Sequence, residues 1–222
     1  MAYNVSQKLH DNLAAIRIAL DYQNGRPLTA DDVVSLKKYA GFGGIKAVLY
    51  PYGTPEEWQT NGATKEDLKH HGQIIQLHDL LKESYDDAAY KEIIASLRNS
   101  VLTAFYTPEV VPQTLYNVLN ERGIQPKRVY EPSAGSGVFI GEAVTAFPDL
   151  DQITAVEKDR LTGLVLSAIN STLSVKAITH IVGFEETPVK DNGSYDLIIS
   201  NIPFGNFSVY DEDFPDKEIS GK

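Results

Sequence analysis

The fold is decided by a strand-like segment and the glycine-rich turn that follows it, Arg128-Val129-Tyr130-Glu131-Pro132-Ser133-Ala134-Gly135-Ser136-Gly137. Gly135 and Gly137 allow a tight turn with room for a ligand, and a helix expected at about 138–147 offers free N–H groups at its start. A dinucleotide fingerprint has a third glycine where this chain has Ile140, which weakens a pyrophosphate interpretation. A glycine turn without a ligand is the alternative.

Strand-like and helical segments alternate from about residue 102 onwards. Further strands are expected at 153–156, near 178–182 and at 196–200, with a helix at about 160–171. Such alternation through short connections predicts a parallel sheet built from βαβ units. Ligands bind beyond the carboxyl ends of the strands in such sheets, where the glycine turn lies.

Residues 1–100 are predicted to form a helical domain, followed by an α/β domain over 101–222. Apolar residues at helical spacing and threonine–aspartate capping pairs support the helices. The apolar stripe is Leu9, Leu13, Ile16 and Leu20, and the pairs are Thr29 with Asp32 and Thr64 with Asp67. The second pair is expected to open one long helix through Leu81, and Thr107-Pro108 to begin a later helix that bears Leu115, Val118 and Leu119.

Composition limits the functional classes. The 222 residues are 42% hydrophobic and 23% charged, as in ordinary globular proteins. We expect a cytoplasmic protein without membrane segments, because no apolar run approaches the roughly 18–20 residues of a bilayer span and no signal peptide is apparent. The chain has no cysteine, and its histidines lack metal-ligand spacing, so no metal site is predicted. A net charge of −10 argues against unaided binding of a nucleic-acid backbone.

A second turn, Asn201-Ile202-Pro203-Phe204, follows the apolar run 197–199. The Asn201 amide oxygen and the Ile202 carbonyl can both accept hydrogen bonds from an amino group, and Pro203 holds Ile202 extended. Phe204 offers a ring face for stacking a flat base. Two acceptors on one amine free its lone pair for attack, as methylation of an adenine or cytosine amino group requires. Ordinary turn chemistry of Asn and Pro is the alternative.

Glu157 ends the second predicted strand, twenty residues after Gly137. An acidic side chain at this position can accept hydrogen bonds from both hydroxyls of a ribose. A solvated charge at the end of a strand is the alternative interpretation. Together with the glycine turn, Glu157 favours a cofactor that contains adenosine.

These motifs together resemble the amino-group DNA methyltransferases of the N6-adenine type, in the branch that includes type I modification subunits. Phe105-Tyr106-Thr107-Pro108 resembles the segment that helps to hold the methionine end of S-adenosylmethionine. The stretch from Glu131 through Pro132, Ser133, Ala134 and Gly135 to Gly137 resembles the main cofactor motif, which contacts the methionine moiety. Glu157 falls where the family binds the ribose, and Asn201-Ile202-Pro203-Phe204 resembles the catalytic Asn-Pro-Pro-Phe/Tyr motif.

The resemblance covers about residues 102–206 and implies a Rossmann-like sheet, S-adenosylmethionine as cofactor, and methyl transfer to a flipped adenine. Ile202 replaces the first proline of the catalytic motif. The family's acidic residue for the cofactor adenine has no clear counterpart, although Phe184 could stack and Glu185 could accept a hydrogen bond. The sheet is expected to be truncated after its fourth strand, so that DNA is bound through downstream regions or a partner chain.

The first hundred residues resemble the leading segment of large methylase–helicase polypeptides of bacterial mobile elements, mainly through Tyr39-Ala40-Gly41-Phe42-Gly43-Gly44. Two alternatives stay open: methylation of a protein glutamine amide, against which Phe204 and the Phe105 segment argue, and a cofactor-binding module without activity of its own. Residues 197–199 are expected at an exposed sheet edge, which predicts self-association or cover by the chain's own tail.

Overall fold

The computed structural model describes residues 4–50, 52–103, 107–187 and 193–202. The first part of the chain is helical and the second part alternates strands with helices. The helices are α1 (Val5–Gln23), α2 (Ala30–Leu36), α3 (Pro55–Thr60), α4 (Lys65–Lys69), α5 (His71–Ser84), α6 (Asp87–Thr103), α7 (Val110–Glu121), α8 (Val138–Ala146) and α9 (Arg160–Asn170). The strands are β1 (Arg128–Glu131), β2 (Gln152–Val156), β3 (Lys176–His180) and β4 (Leu197–Ile198). None of the helices in these described ranges is long and apolar enough to span a bilayer.

The described strands form one parallel sheet in the order β3-β2-β1-β4. The chain moves outward from β1 to β3 and then returns to pair β4 with the other side of β1. The strand order therefore reverses at β1, which has β2 on one side and β4 on the other. Ligands bind in open α/β sheets beside the carboxyl end of the strand at which such a reversal occurs. This topology confirms the Rossmann-like α/β fold that the sequence predicts.

The helix α9 is buried on both sides. Leu161, Val165 and Ala168 belong to a hydrophobic cluster that also contains the core of the helical region, while Leu166 belongs to the cluster beneath the sheet. The helical region therefore packs against the helix that directly follows the loop containing Glu157. The boundary at residue 100 between two domains stays a prediction.

The motif at 39–44 lies in this shared core. Tyr39 and Phe42 are buried, and the Tyr39 hydroxyl lies 3.1 Å from the Thr162 hydroxyl in the first turn of α9. Asn12, fully buried on α1, donates to the Gly41 carbonyl at 2.7 Å and accepts from the Ala40 N–H at 2.9 Å. The motif therefore joins α1 to α9.

The capping boxes at Thr29 and Thr64 are formed, but the helix expected from Thr64 through Leu81 is divided. His70, the one residue between α4 and α5, takes φ −100° and ψ 1°. This conformation ends α4 before α5 starts. The single long helix was therefore a wrong prediction. The capping pattern marks where a helix starts, whereas its end depends on the packing that α5 finds in the core.

The helix α7 begins at Val110 and not at Thr107, so Pro112 lies in its first turn, where its missing N–H costs nothing. Of the three apolar residues expected on this helix, Leu119 packs against the cluster beneath the sheet, whereas Leu115 and Val118 are 43% and 49% exposed. Tyr116 is fully buried instead and donates to the Phe139 carbonyl at 2.9 Å. The third strand covers Lys176–His180, two residues earlier than expected.

Replacing Ile16 with alanine tests the shared core. Ile16 is fully buried within the cluster that includes α9, so Ile16→Ala should lower the free energy of unfolding by roughly 2–5 kcal/mol. Val34→Ala, at a position 58% exposed, is the control and should stay within about 0.5 kcal/mol. Urea denaturation measures both, and equal small effects would contradict the packing described here.

Candidate cofactor and catalytic site

The glycine turn after β1 folds as the sequence predicts. Gly135 and Gly137 have φ of 55° and 84°, in the left-handed region that favours glycine, and Gly137 caps α8. The turn is fastened to β2, because the Ala134 N–H donates to the Val156 carbonyl at 2.8 Å. A Cβ atom on Gly137 would lie 2.7 Å from the Leu166 side chain of α9. The turn is therefore fitted closely between the sheet and α9.

The Glu157 carboxylate joins the ends of β1 and β2. One oxygen accepts the Gly135 N–H and the other accepts the Asp159 N–H, each at 2.7 Å. Burial raises the pKa of Glu157 to about 7, and the Asp159 charge acts in the same direction, while the backbone donors oppose them. A carboxylate oxygen can accept more than one hydrogen bond. Glu157 could therefore hold the glycine turn and still accept ligand hydroxyls.

Glu131, the last residue of β1, is a buried acid at the start of the turn. Its side chain is 1% exposed, and its Oε2 has no hydrogen-bond partner within the described residues. Burial, and secondarily the Glu157 charge, hold the pKa of Glu131 well above its usual range. A buried carboxyl without a donor is costly, so the site suits a ligand that brings a cationic or hydrogen-bonding group to this oxygen.

The second turn lies beside the segment upstream of α7. The Asn201 Nδ2 donates to the Thr107 Oγ1 at 2.9 Å, across 94 residues of sequence. The Ser200 hydroxyl lies 3.4 Å from the Ser133 carbonyl in the glycine turn. The structure thus brings together the ends of β1 and β4 and the beginning of the α7 segment. Phe105, Tyr106, Pro203 and Phe204, predicted site residues, lie outside the described residues.

Phe184 and Glu185 lie on a short 3-10 helix, Phe184–Glu186, that follows β3. Phe184 is 54% exposed and could supply an apolar wall. The Glu185 carboxylate pairs with the Lys158 ammonium at 2.7 Å, which holds the pKa of Glu185 below its usual range. Lys158 follows Glu157, so this pair connects the loop after β2 to the loop after β3.

Sequence reasoning missed Asp159, Ser96 and Ser100. Asp159 is 6% exposed and caps α9 by accepting the Thr162 N–H at 2.8 Å. An acidic residue directly before a helix was the available signal for this cap. The two serines lie on α6 and donate to Asp159 from across the fold, a contact that no local pattern encodes.

Comparison with known proteins gives two relatives in sequence, and no family model matches the chain. The type II methyltransferase M.XamI of Xanthomonas campestris pv. amaranthicola is 33% identical over 113 residues, which cover 50% of this chain and 21% of that protein. The defense against restriction protein B of Escherichia phage P1 is 30% identical over 105 residues, 47% of this chain and 4% of that protein. The chain therefore spans a small part of each relative's length.

Two solved structures are similar over most of this chain. The methyltransferase subunit of a type I restriction-modification system from Streptococcus thermophilus has a TM-score of 0.44 at 15% identity, covering 96% of this chain and 48% of its own. A class I S-adenosylmethionine-dependent methyltransferase candidate from Listeria monocytogenes has a TM-score of 0.43 at 13% identity, covering 95% and 62%. These scores are low, so the fold assignment depends on the strand order of the chain itself.

The chain is related to methyltransferases. Over 50% of its length it is similar in sequence to a type II methyltransferase, and the specificity for the N6 amino group of adenine that the motifs indicate stays a prediction.

The unpaired acid at position 131 should make the folded protein sensitive to pH. The pKa of Glu131 is higher in the folded than in the unfolded protein, so its unfavourable contribution is complete above the folded pKa and disappears as the pH falls towards about 4.5. Glu131→Gln, which removes the charge, should raise the unfolding free energy by about 1–3 kcal/mol at pH 8 and much less at pH 5. Urea denaturation at both pH values measures this, and a difference independent of pH would contradict it.

Proposed function

We propose that this chain carries the cofactor site and catalytic loop of an S-adenosylmethionine-dependent DNA methyltransferase that acts on the N6 amino group of adenine. The observation that carries the proposal is the position of Asn201, whose amide nitrogen donates to Thr107 while the preceding Ser200 hydroxyl lies 3.4 Å from the Ser133 carbonyl of the glycine turn. The sequence match to a type II methyltransferase supports the same activity.

The cofactor residues fit this proposal through two carboxyl groups. Glu131 has a buried oxygen that lacks a donor among the described residues, as a site for the methionine ammonium group requires. Glu157 has a carboxylate fixed by two backbone donors, as a site for ribose hydroxyls requires. When bound, S-adenosylmethionine supplies an electrophilic methyl group on its sulfonium sulfur. The turn residues 132–137 are assigned to the methionine part of the cofactor, and the positive φ of Gly135 and Gly137 gives the turn the tight path that this assignment requires.

The catalytic part of the proposal assigns two acceptors to the target amine. The Asn201 Nδ2 is engaged with Thr107, which leaves the amide oxygen to accept one N–H of the adenine. The Ile202 carbonyl would accept the other, and Phe204 would stack on a base flipped out of the duplex. With both N–H groups held by these acceptors, the amine would keep its lone pair available for the methyl group that the bound cofactor would supply. Acceptors fixed in advance stabilise the charge that develops on nitrogen.

DNA binding itself is assigned to regions beyond this chain or to a partner chain. The net charge of −10 is unfavourable for holding a phosphate backbone with this chain alone. Self-association through the sheet edge also stays a prediction. Among the described strands β4 is an edge strand, and its Ile198 is 65% exposed.

Cofactor binding should depend on pH through Glu157. Since the pKa of Glu157 in the free site is about 7 and ribose hydroxyls prefer to donate to the ionised form, the affinity for S-adenosylhomocysteine should rise with pH. It should be about tenfold weaker at pH 6 than at pH 8. Calorimetry at pH 6, 7 and 8 measures this, and Glu157→Gln should bind weakly with a flat profile. Absence of binding at millimolar ligand would overturn the cofactor assignment.

Methyl transfer should depend on Asn201. With tritiated S-adenosylmethionine and unmethylated genomic DNA, Asn201→Ala should reduce the transfer rate about 100- to 1,000-fold while the cofactor affinity changes less than about twofold. Asn24→Ala, at an exposed asparagine that ends α1, is the matched control and should retain the full rate.

The same assay separates the alternatives. Label in a release-factor protein and none in DNA would favour glutamine methylation and contradict the proposal. Cofactor binding without transfer to either substrate would favour a cofactor-binding module that is inactive on its own.

A further inference from the structure

The loop after β2 contains a buried carboxylate that the helical region holds in place. Asp159 is 6% exposed, and its Oδ1 accepts the Thr162 N–H as the cap of α9. Its Oδ2 accepts two hydroxyls from α6, Ser96 at 3.1 Å and Ser100 at 3.0 Å. A helix cap is complete with the first of these bonds. The two serine bonds therefore do something other than start α9.

The contacts come from one face of α6. Glu92, Ser96 and Ser100 are spaced four residues apart, which places them in one row along the helix. The Ser96 hydroxyl also accepts the Arg160 N–H at 3.1 Å, and Glu92 forms an ion pair with the Arg160 side chain. This row is thus directed at Asp159, the last residue before α9, and at Arg160, the first residue of α9.

A short path of hydrogen bonds leads from these serines to the cofactor site. The Asp159 side chain is held by α6, and the Asp159 N–H donates to the Glu157 Oε1 at 2.7 Å. The other Glu157 oxygen accepts the Gly135 N–H of the glycine turn at 2.7 Å. The hydrogen bonds that hold the Asp159 side chain also restrain the Asp159 N–H, and this N–H in turn restrains the Glu157 carboxylate two residues earlier. A movement of α6 would therefore turn the Glu157 carboxylate.

A second contact holds the same segment from another part of the helical region. Tyr39, 3% exposed, places its hydroxyl 3.1 Å from the Thr162 hydroxyl, three residues after Asp159. The beginning of α9 is therefore fixed by Ser96 and Ser100 of α6 and by the 39–44 motif, all of which lie in the first hundred residues. The helical region is in a position to set the geometry of the loop on which Glu157 depends.

We propose that Ser96 and Ser100 are positioning residues for nucleoside binding, which orient the Glu157 carboxylate towards ribose hydroxyls through Asp159. The helical region is thereby part of the cofactor site, although its serines touch no ligand. This inference rests on the proposed function, because it takes Glu157 as the residue that binds the ribose.

A double-mutant cycle tests the path with S-adenosylhomocysteine as the probe. Ser96→Ala with Ser100→Ala should weaken binding about five- to tenfold when Glu157 is present, as expected for the loss of two hydrogen bonds. In a Glu157→Gln background the same two serine substitutions should weaken binding less than about twofold, because the carboxylate that the serines orient is absent. Ser96→Thr with Ser100→Thr keeps both hydroxyls and should restore most of the affinity.

Ser84→Ala is the matched control, since the Ser84 hydroxyl bonds the Leu80 carbonyl within α5, away from this loop. It should bind like the wild type. Circular dichroism and thermal unfolding establish that each variant is folded, and Ser100→Ala alone replaces the double variant in the cycle if the latter does not fold.

The outcomes separate the two proposals. If the serine substitutions weaken binding equally with Glu157 present and with Glu157→Gln, while the wild type binds normally, the positioning role is overturned and the cofactor assignment stays intact. Lack of binding by the wild-type chain would overturn the cofactor assignment, and the positioning role with it. A loss confined to the background that contains Glu157, with recovery in the threonine variant, supports both.

Discussion

The site depends on one carboxylate shared between two strands. Glu157 ends β2, yet its oxygens are taken by the Gly135 N–H of the turn after β1 and by the Asp159 N–H of its own loop. Parallel strands bring their carboxyl ends to one edge of the sheet, but they do not fasten the loops there to each other. Glu157 provides this fastening. The two glycines of this turn lose much conformational freedom on folding, and the hydrogen bond from the Gly135 N–H to Glu157 offsets part of that cost.

The arrangement is electrostatically unfavourable before any ligand arrives. Burial raises the pKa of both Glu131 and Glu157, and Glu131 Oε2 has no donor among the described residues, whereas two backbone N–H groups offset part of this cost at Glu157. Side chains chosen only for stability would be neutral, or paired with a cation, at these two buried positions. Unfavourable local structure of this kind is found at functional sites, where the rest of the fold compensates for it. The large core around α9 supplies that compensation in this protein.

Much of this could be predicted from the sequence because the decisive signals are local. Each of these signals is a stretch of only a few residues: a strand followed by Gly135 and Gly137, an acid at position 157, and an amide-proline turn that begins at position 201. Together they predicted the sheet and the edge at which the site lies. The segments after β1 and β4 lie together as expected, with the Ser200 hydroxyl 3.4 Å from the Ser133 carbonyl, and Asn201 donates to Thr107. The chemical roles of these residues remain predictions.

The failures have a common physical cause, which is that long-range packing decides what local patterns leave open. The exposed Leu115 and Val118 carry the helical apolar spacing, but Tyr116 occupies the core because its hydroxyl finds the Phe139 carbonyl. His70 interrupts a helix that its capping pair would allow to continue. The serines of α6 reach Asp159 across about sixty residues, and no pattern in either segment announces the contact.

The double burial of α9 has a consequence for synthesis of the chain. The helices of the first hundred residues share their core with α9, so they cannot complete it until residue 170 has left the ribosome. At about 5–20 residues per second, the roughly seventy residues between α6 and the end of α9 take on the order of 3–14 seconds. During that interval the parts of α1, α2 and α6 that pack against α9 have no permanent cover. A nascent helical region in this state exposes apolar surface of the kind that makes folding intermediates prone to aggregation.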